Sequence, residues 1–179
     1  MMVKIVFTSA GNPKTWTTFL KDKGITVAHD VSISKFAVKA ETAGVDAVVA
    51  VGFEAGGHNG REETTTMCLI PAVKNAVTIP VVAAGGIGSG QAMLAAMALG
   101  ADGVQVGTRF AASIESSAHH GFKEKIVETP EGGTMLSMKK LVPVRLIKND
   151  FFEKIKKAEE EGKSREELAL ILGLSLIHI

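Results

Sequence analysis

The chain has 179 residues, of which 46% are hydrophobic and 22% are charged, values typical of a globular domain with one apolar core. Its 20 basic and 19 acidic residues give a net charge of +1 without a basic block, which argues against nucleic acid or an anionic membrane surface as partner. The single cysteine excludes an internal disulfide, and no apolar run suits a signal peptide or membrane span. We therefore expect a soluble cytoplasmic protein.

Short β-rich runs alternate with helical patterns over the first part of the chain. Strands are predicted at Lys4–Thr8, Thr26–Asp30, Ala47–Val51, Val81–Ala84 and Val104–Val106. Between them lie helix-start signals at Asn12-Pro13 and Ser34, and helix-end signals at Gly44 and Gly100. This alternation predicts an α/β fold with parallel strands joined by crossover helices. A weak internal echo between AGVDAVVAVG (43–52) and LGADGVQVGT (99–108) fits repeated βα units.

After Thr108 the pattern predicts helices alone. Residues 151–161 are amphipathic and end at Gly162, and SREE at 164–167 is typical of a capping box that opens a last helix. The sequence therefore predicts a βα part over residues 1–128 and a C-terminal helical segment over residues 129–179.

Two of the predicted strands end in turns that suit a phosphate group. Gly85-Gly86 follows one strand and Gly107-Thr108 follows the next. Glycine lets an anion approach main-chain N–H groups closely, and a following helix adds the positive end of its dipole. A lone pair of glycines would equally suit a tight strand–helix turn, but two such turns one βα unit apart favour a cofactor site.

The position of a phosphate site also discriminates between fold types. Parallel strands allow either an open doubly wound sheet or part of a barrel. In eight-stranded βα barrels the phosphate site commonly lies after the seventh and eighth strands. The five predicted strands would then be strands four to eight of a partial TIM barrel, followed by C-terminal helices.

The longest polar connection, residues 52–66, places glycines on both sides of His58. Long ordered loops often carry function. With an ordinary pKa near 6.5, histidine can exchange a proton near neutral pH, so His58 is a candidate for chemistry. The alternative is a loop histidine that faces solvent.

The other candidates are given structural roles. Cys68 is expected to be a small packed residue, and the Met-rich helix Gln91–Ala98 is expected to pack in the barrel. Arg109 either faces an anion or pairs with Glu115. The remaining side chains, which show no catalytic or metal-binding pattern, are His29, His119, His120, His178 and the pair Glu62-Glu63.

Four segments occur in an informative order: TSAGNP (8–13), GFEAGGHNG (52–60), PVVAAGGI (80–87) and GADGVQVGTRF (100–110). In order and spacing they resemble the nitronate monooxygenases, formerly called 2-nitropropane dioxygenases, which share a fold with the FabK-type enoyl-ACP reductases. PVRLIKNDFF (143–152) also resembles the C-terminal part of this family. The resemblance implies a barrel that binds FMN non-covalently and oxidises a nitronate or nitroalkane with O₂ to a carbonyl compound and nitrite. It leaves the oligomeric state open.

The resemblance also implies roles for individual residues. His58 matches the catalytic position. The positions that match flavin-binding ones fall into three groups: the phosphate turns Gly85, Gly86, Gly107 and Thr108; the backbone of Gln105 and Val106 near the flavin edge; and Gly56 and Gly57 beside the isoalloxazine ring.

Two departures from the family are visible. Family members begin with three further strands, so the chain is expected to be a fragment that starts before the fourth. Their C-terminus continues as a basic tail, whereas this chain ends in SLIHI (175–179), and the sequence leaves open whether these five residues are native.

The sequence suggests three alternatives, of which the second is disfavoured. One is a FabK-type reductase that uses NAD(P)H and FMN on an acyl-chain double bond. Another is a barrel similar to the IMP dehydrogenases, whose catalytic cysteine lies in a glycine-rich loop, a context that Cys68 does not supply. The third is a non-catalytic fragment whose open sheet exposes two parallel edges.

Overall fold

The computed structural model describes residues 3–172, so His178 and the segment 175–179 lie outside the described residues. It contains two compact units. Within the described residues, unit 1 comprises residues 3–54 and 62–107, and unit 2 comprises residues 55–61 and 108–172. The elements of unit 1 are β1 (Ile5–Thr8), α1 (Lys14–Lys21), β2 (Thr26–Val31), α2 (Ser34–Thr42), β3 (Ala47–Val51), α3 (Thr66–Lys74), β5 (Val81–Ala84), α4 (Gly90–Ala98) and β6 (Gly103–Gln105). Those of unit 2 are β4 (Gly57–His58), α5 (Thr108–Ala111), α6 (His120–Glu128), β7 (Thr134–Ser137), β8 (Val144–Ile147), α7 (Asp150–Glu160) and α8 (Arg165–Leu172).

Unit 1 is built on a five-stranded sheet with the order β1-β2-β3-β5-β6. All four neighbouring pairs are parallel. The predicted α/β fold with a parallel sheet is therefore confirmed, and each strand boundary agrees with its prediction to within one residue.

The neighbouring strands β3 and β5 of the unit 1 sheet are apolar on both faces. One face contributes Val27, Val48 and Val81 to a core that also includes residues of α2 and α3. The other face contributes a smaller cluster around Val49 and Ala84. Burial on both faces explains why these strands are continuous Val/Ala runs rather than alternating patterns.

The internal echo of the sequence corresponds to a repeated hydrogen-bonding arrangement. In each copy, an aspartate just before a strand accepts a hydrogen bond from a backbone N–H of the neighbouring strand. The same aspartate forms an ion pair with the lysine that ends an earlier helix. These aspartate trios, each given as aspartate, N–H donor and lysine, are Asp46–Val27–Lys21 and Asp102–Val81–Lys74. The hydrogen bond from Lys74, at 2.7 Å, and that from the Val81 N–H lower the pKa of the Asp102 carboxyl. These aspartates therefore hold the amino-terminal ends of adjacent strands together.

The helix-start predictions of unit 1 are displaced by one residue. Pro13, not Asn12, is the N-cap of α1, although Asn12 Oδ1 accepts the Lys14 N–H at 3.3 Å. Ile33 precedes α2, and Ser34 is its first helical residue. The predicted ends of α2 and α4, at Gly44 and Gly100, are confirmed.

Two packing predictions for these helices are wrong. Cys68 is exposed, because the buried face of α3 is formed by Leu69, Ile70 and Val73. On α4, Met93 and Met97 remain 44% and 46% exposed, while the fully buried residue is Ala96. Small alanines thus bring α4 close to its core, and the methionines lie on the outer face.

Unit 2 contains an antiparallel sheet with the order β4-β8-β7. The prediction of helices alone after Thr108 is therefore wrong. β7 and β8 have four residues each and pair with one another, with Met135 opposite Leu146. Strands this short give too little periodicity to be distinguished from a helical pattern by sequence alone.

The two C-terminal helices of unit 2 follow their predicted signals. Asn149 caps α7 by accepting the Phe152 N–H at 2.9 Å. The predicted capping box is present, with the Ser164 N–H donating to Glu167 at 2.7 Å and the Glu167 N–H donating to Ser164 Oγ at 3.2 Å. No helix within residues 3–172 is both long and apolar enough to cross a membrane.

Candidate functional site

The carboxyl ends of β5 and β6 lie side by side in unit 1. The strands are parallel neighbours, with Ala84 opposite Gln105. The Gly85-Gly86 turn and the Val106-Gly107 segment therefore leave the sheet at the same edge. This edge is where ligands bind in parallel α/β folds.

The Gly85-Gly86 turn requires glycine at its first position. Gly85 has φ +103° and Gly86 has φ +70°, in the region that side-chain-bearing residues rarely adopt. A Cβ on Gly85 would also lie 2.8 Å from the Gly52 carbonyl oxygen. On Gly86 it would lie 3.2 Å from Glu54 Cβ. The turn is therefore packed tightly on one side by the backbone that follows β3.

The same turn leaves hydrogen-bond donors free. Within residues 3–172, the backbone N–H groups of Gly86, Ile87 and Gly107 donate no hydrogen bond. A Cβ on Gly107 would meet no atom within 4 Å. Free N–H groups on a glycine turn are the donor set that binds a phosphate.

The helix dipole contributes less to this edge than the sequence predicts. α4 begins at Gly90, after its cap residue Ser89, and not directly after the glycine pair. α5 has four residues only. Because the dipole effect is confined to the first turn of a helix, the donors of the turn are mainly its own peptide groups.

Two residues that sequence reasoning missed hold the glycine turn. The Glu54 carboxylate accepts the Thr66 backbone N–H at 2.9 Å and its hydroxyl at 2.7 Å. The same hydroxyl lies 3.0 Å from the Gly85 carbonyl oxygen. Gly52 leaves room for this contact, since a Cβ there would lie 2.0 Å from Thr66 Oγ1. The only sequence signal for Glu54 and Thr66 was their position within the long polar loop, residues 52–66.

His58 lies in unit 2 on the short strand β4. This strand pairs with β8, and the next residue, Asn59, donates its backbone N–H to Pro143 at 2.8 Å. The Asn59 amide also donates to Ala55 at 2.8 Å and to Gly57 at 3.2 Å. The GGHNG segment therefore has a defined backbone conformation, and Asn59 is a third residue that sequence reasoning missed.

The His58 side chain is exposed. No group in the described part of the chain forms a hydrogen bond with its imidazole. In the same unit, a Cβ on Gly56 would lie 3.6 Å from Thr108 Oγ1. The structure thus places Gly56, Gly57, His58 and Thr108 in unit 2, and Gly85, Gly86, Gln105, Val106 and Gly107 in unit 1.

The other histidines and acidic residues have ordinary surroundings. His119 caps α6 through Nδ1, and His120 forms an ion pair with Glu124 on the surface. No ion pair joins Arg109 to Glu115 within residues 3–172. In that range no cluster of three or more His, Cys, Asp or Glu side chains could hold a metal ion.

Two neighbouring residues of β2 have unusual environments. His29 is buried, its Nδ1 lies 2.7 Å from Thr8 Oγ1, and burial lowers its pKa. Burial raises the pKa of Asp30, although a hydrogen bond with Ser9 opposes this. Asp30 Oδ1 is buried without a hydrogen-bond partner in the described residues. The chain therefore contains a carboxyl group whose charged form is disfavoured in the folded state.

We expect the Asp30→Asn variant to be more stable than the wild type at pH 7. Because the folded-state pKa of Asp30 lies above its unfolded value, the wild type loses stability as pH rises from 3.8 through the folded-state pKa. Asparagine removes this loss, and after a discount for partial exposure we expect a gain of about 1 kcal/mol. Urea unfolding at pH 4 and pH 7 measures the difference in the free energy of unfolding between the variant and the wild type. Asp102→Asn is the control: because the pKa of Asp102 is lowered, this variant should be less stable than the wild type at pH 7. If the free energy of unfolding depends on pH equally in the wild type and in Asp30→Asn, the prediction is contradicted.

Comparison with known proteins identifies the family. The family model described as nitronate monooxygenase matches residues 1–169. The chain belongs to the nitronate monooxygenase family.

Two staphylococcal proteins are among the curated relatives of this chain. The probable nitronate monooxygenase of Staphylococcus saprophyticus is 38% identical over 152 residues, which are 79% of this chain and 43% of the relative. That of Staphylococcus haemolyticus is 40% identical over 150 residues, 78% of this chain and 42% of the relative. The chain thus spans less than half the length of these relatives.

Solved structures agree with this family assignment. FabK from Thermotoga maritima has a TM-score of 0.85 and 44% identity, over 92% of this chain and 53% of FabK. Nitroalkane oxidase from Streptomyces ansochromogenes has a TM-score of 0.73 and 32% identity, over 85% of this chain and 47% of that enzyme. Both neighbours belong to a TIM-barrel type of fold, to which the parallel sheet of unit 1 conforms.

Proposed function

We propose that this chain carries the flavin-phosphate turns and the catalytic histidine of an FMN-dependent nitronate monooxygenase. The observation that carries the proposal is the Gly85-Gly86 turn, whose geometry disfavours side chains and whose neighbouring N–H groups have no partner among residues 3–172. Membership in the nitronate monooxygenase family supplies the reaction class. In this proposal β1, β2, β3, β5 and β6 are the fourth to eighth strands of the barrel.

The donor set of unit 1 suits the phosphate of FMN. A phosphate monoester needs several N–H donors without a carboxylate among them. Gly86, Ile87 and Gly107 offer three N–H groups that have no partner in the described part of the chain. We assign the Thr108 hydroxyl as a further donor. We assign the backbone of Gln105 and Val106 to the flavin edge, and Gly56 and Gly57 to the approach of the isoalloxazine ring.

FMN, when bound, would supply the redox chemistry of this reaction. The chain supplies orientation and charge balance. His58 donates a hydrogen bond to a nitro oxygen of the substrate, and its exposed imidazole, which no described group engages, is available for that contact. Asn59 fixes the backbone on which His58 is carried. A carbonyl compound and nitrite are the expected products.

A FabK-type enoyl reductase is the second candidate function. Thermotoga maritima FabK is more similar to this chain, at 44% identity, than the Streptomyces nitroalkane oxidase is, at 32%. A substrate test separates the two activities. Oxygen consumption with an alkyl nitronate supports the monooxygenase, whereas NAD(P)H consumption with an enoyl thioester supports the reductase.

The proposal is tested by purifying the chain without added flavin and recording its visible spectrum. We expect flavin absorbance, or its appearance after FMN is added and excess is removed by gel filtration. Denaturation should then release a flavin that co-elutes with FMN and not with FAD or riboflavin. A colourless chain that takes up no added FMN would contradict the assignment of a formed flavin site and support the non-catalytic alternative.

A further inference from the structure

The Gly85-Gly86 turn has a polar contact on the side opposite to its free N–H groups. The Thr66 hydroxyl lies 3.0 Å from the Gly85 carbonyl oxygen, and 2.7 Å from Glu54 Oε2. It carries one hydrogen and lies within hydrogen-bond distance of both acceptors, and the Ala84 carbonyl oxygen lies further away, at 3.5 Å. Glu54 also accepts the Thr66 N–H at 2.9 Å, which holds the threonine at the start of α3.

Peptide geometry connects this contact to the phosphate donors. The Gly85 carbonyl and the Gly86 N–H belong to one planar peptide group, and the described residues contain no cis peptide bond. In a trans peptide the C=O and N–H point in opposite directions. When the Gly85 carbonyl faces Thr66, the Gly86 N–H must therefore point away from Thr66, and it is one of the donors with no partner in the described chain.

A pair of glycines cannot hold this orientation alone. Neither residue has a Cβ to restrict its backbone, so the peptide between them can rotate between two orientations at low cost. A rotation of the peptide would turn the carbonyl, which repels a phosphate, toward the place where the N–H donor is needed. The contact with Thr66 opposes this rotation.

We propose that Thr66 is a positioning residue for phosphate recognition, which locks the Gly85–Gly86 peptide with its N–H toward the ligand, and that Glu54 supports Thr66. This inference rests on the proposed function, since FMN supplies the phosphate. The chemical class recognised by the locked turn is a phosphate monoester.

The test compares FMN with riboflavin, which has the same ring system but no phosphate. Flavin fluorescence titrations are made with the wild-type chain, Thr66→Val, Thr66→Ser and Thr65→Val. Valine keeps the shape and the backbone N–H that donates to Glu54 but removes the hydroxyl. We expect Thr66→Val to weaken FMN binding by about tenfold while riboflavin binding is unchanged. Thr66→Ser should restore FMN affinity, and Thr65→Val, which alters an exposed neighbour, should have no effect.

The amide resonance of Gly86 provides a readout that requires no flavin. In the wild type and Thr66→Ser we expect one sharp resonance, and in Thr66→Val we expect broadening from exchange between two peptide orientations. A loss of riboflavin binding equal to that of FMN, or a sharp unshifted Gly86 resonance in Thr66→Val, would overturn the positioning role. If the wild type binds FMN no better than riboflavin, the proposed function fails together with the inference that rests on it.

Discussion

Replacing Gly85 with alanine should lower the free energy of unfolding by about 3 kcal/mol or more and abolish FMN uptake. Gly85 has φ +103°, which alanine adopts only with strain. The new Cβ would also lie 2.8 Å from the Gly52 carbonyl oxygen, a backbone atom that cannot move without displacing the end of β3. Urea unfolding followed by circular dichroism measures the stability, and gel filtration with FMN measures the uptake.

The matched control is Gly88→Ala, three residues further along the same segment. Gly88 does not have a positive φ, and a Cβ there would meet no atom within 4 Å. We expect this variant to unfold within about 0.5 kcal/mol of the wild type. Equal stability of Gly85→Ala and Gly88→Ala would show that the turn is not as constrained as its backbone angles indicate.

Replacing His58 with alanine should reduce turnover of alkyl nitronates by about 10²–10⁴-fold without loss of bound FMN. The imidazole is the candidate proton-transfer and hydrogen-bonding group of the GGHNG segment. Its removal leaves the backbone pairing of β4 with β8 unchanged. Oxygen consumption measures turnover, and the flavin absorbance of the purified variant measures FMN content.

His120→Ala is the control for this experiment, because the His120 side chain is 81% exposed and, among residues 3–172, its one ion pair is with Glu124 on the same helix. It should retain full turnover. A His58→Ala variant that turns over nitronates at the wild-type rate would remove His58 from the mechanism. A variant that also loses FMN would instead assign His58 to flavin binding.

The parallel sheet could be predicted because its signals are local. Val81–Ala84 is a short apolar run followed by glycines, and the other four predicted runs match their strands to within one residue. β4 and β8 could not be predicted, because β4 has two residues and exists only through its pairing with a strand far along the chain. Short strands of this kind depend on tertiary contacts that no local pattern encodes.

In the candidate site, too, features with a local sequence signal could be predicted and features that depend on distant contacts could not. The glycine turns were predictable because a residue without a Cβ has few other uses after a buried strand. The role of Thr66 could not be predicted, since its hydrogen bonds reach Glu54 twelve residues earlier and Gly85 nineteen residues later. The unusual environment of Asp30 could not be predicted either, because its raised pKa reflects burial, which only the folded structure defines.

The aspartate trios and the glycine turn occupy opposite ends of the same strands. Asp46 and Asp102 precede β3 and β6, whereas Gly85 follows β5. In parallel α/β folds the amino-terminal ends of strands contribute to stability and the carboxyl ends carry ligands. Under the proposed function, unit 1 therefore offers separate routes for engineering. Substitutions around Asp102 should change thermal stability and leave flavin selectivity unchanged, and substitutions around Thr66 should change flavin selectivity and leave the sheet intact.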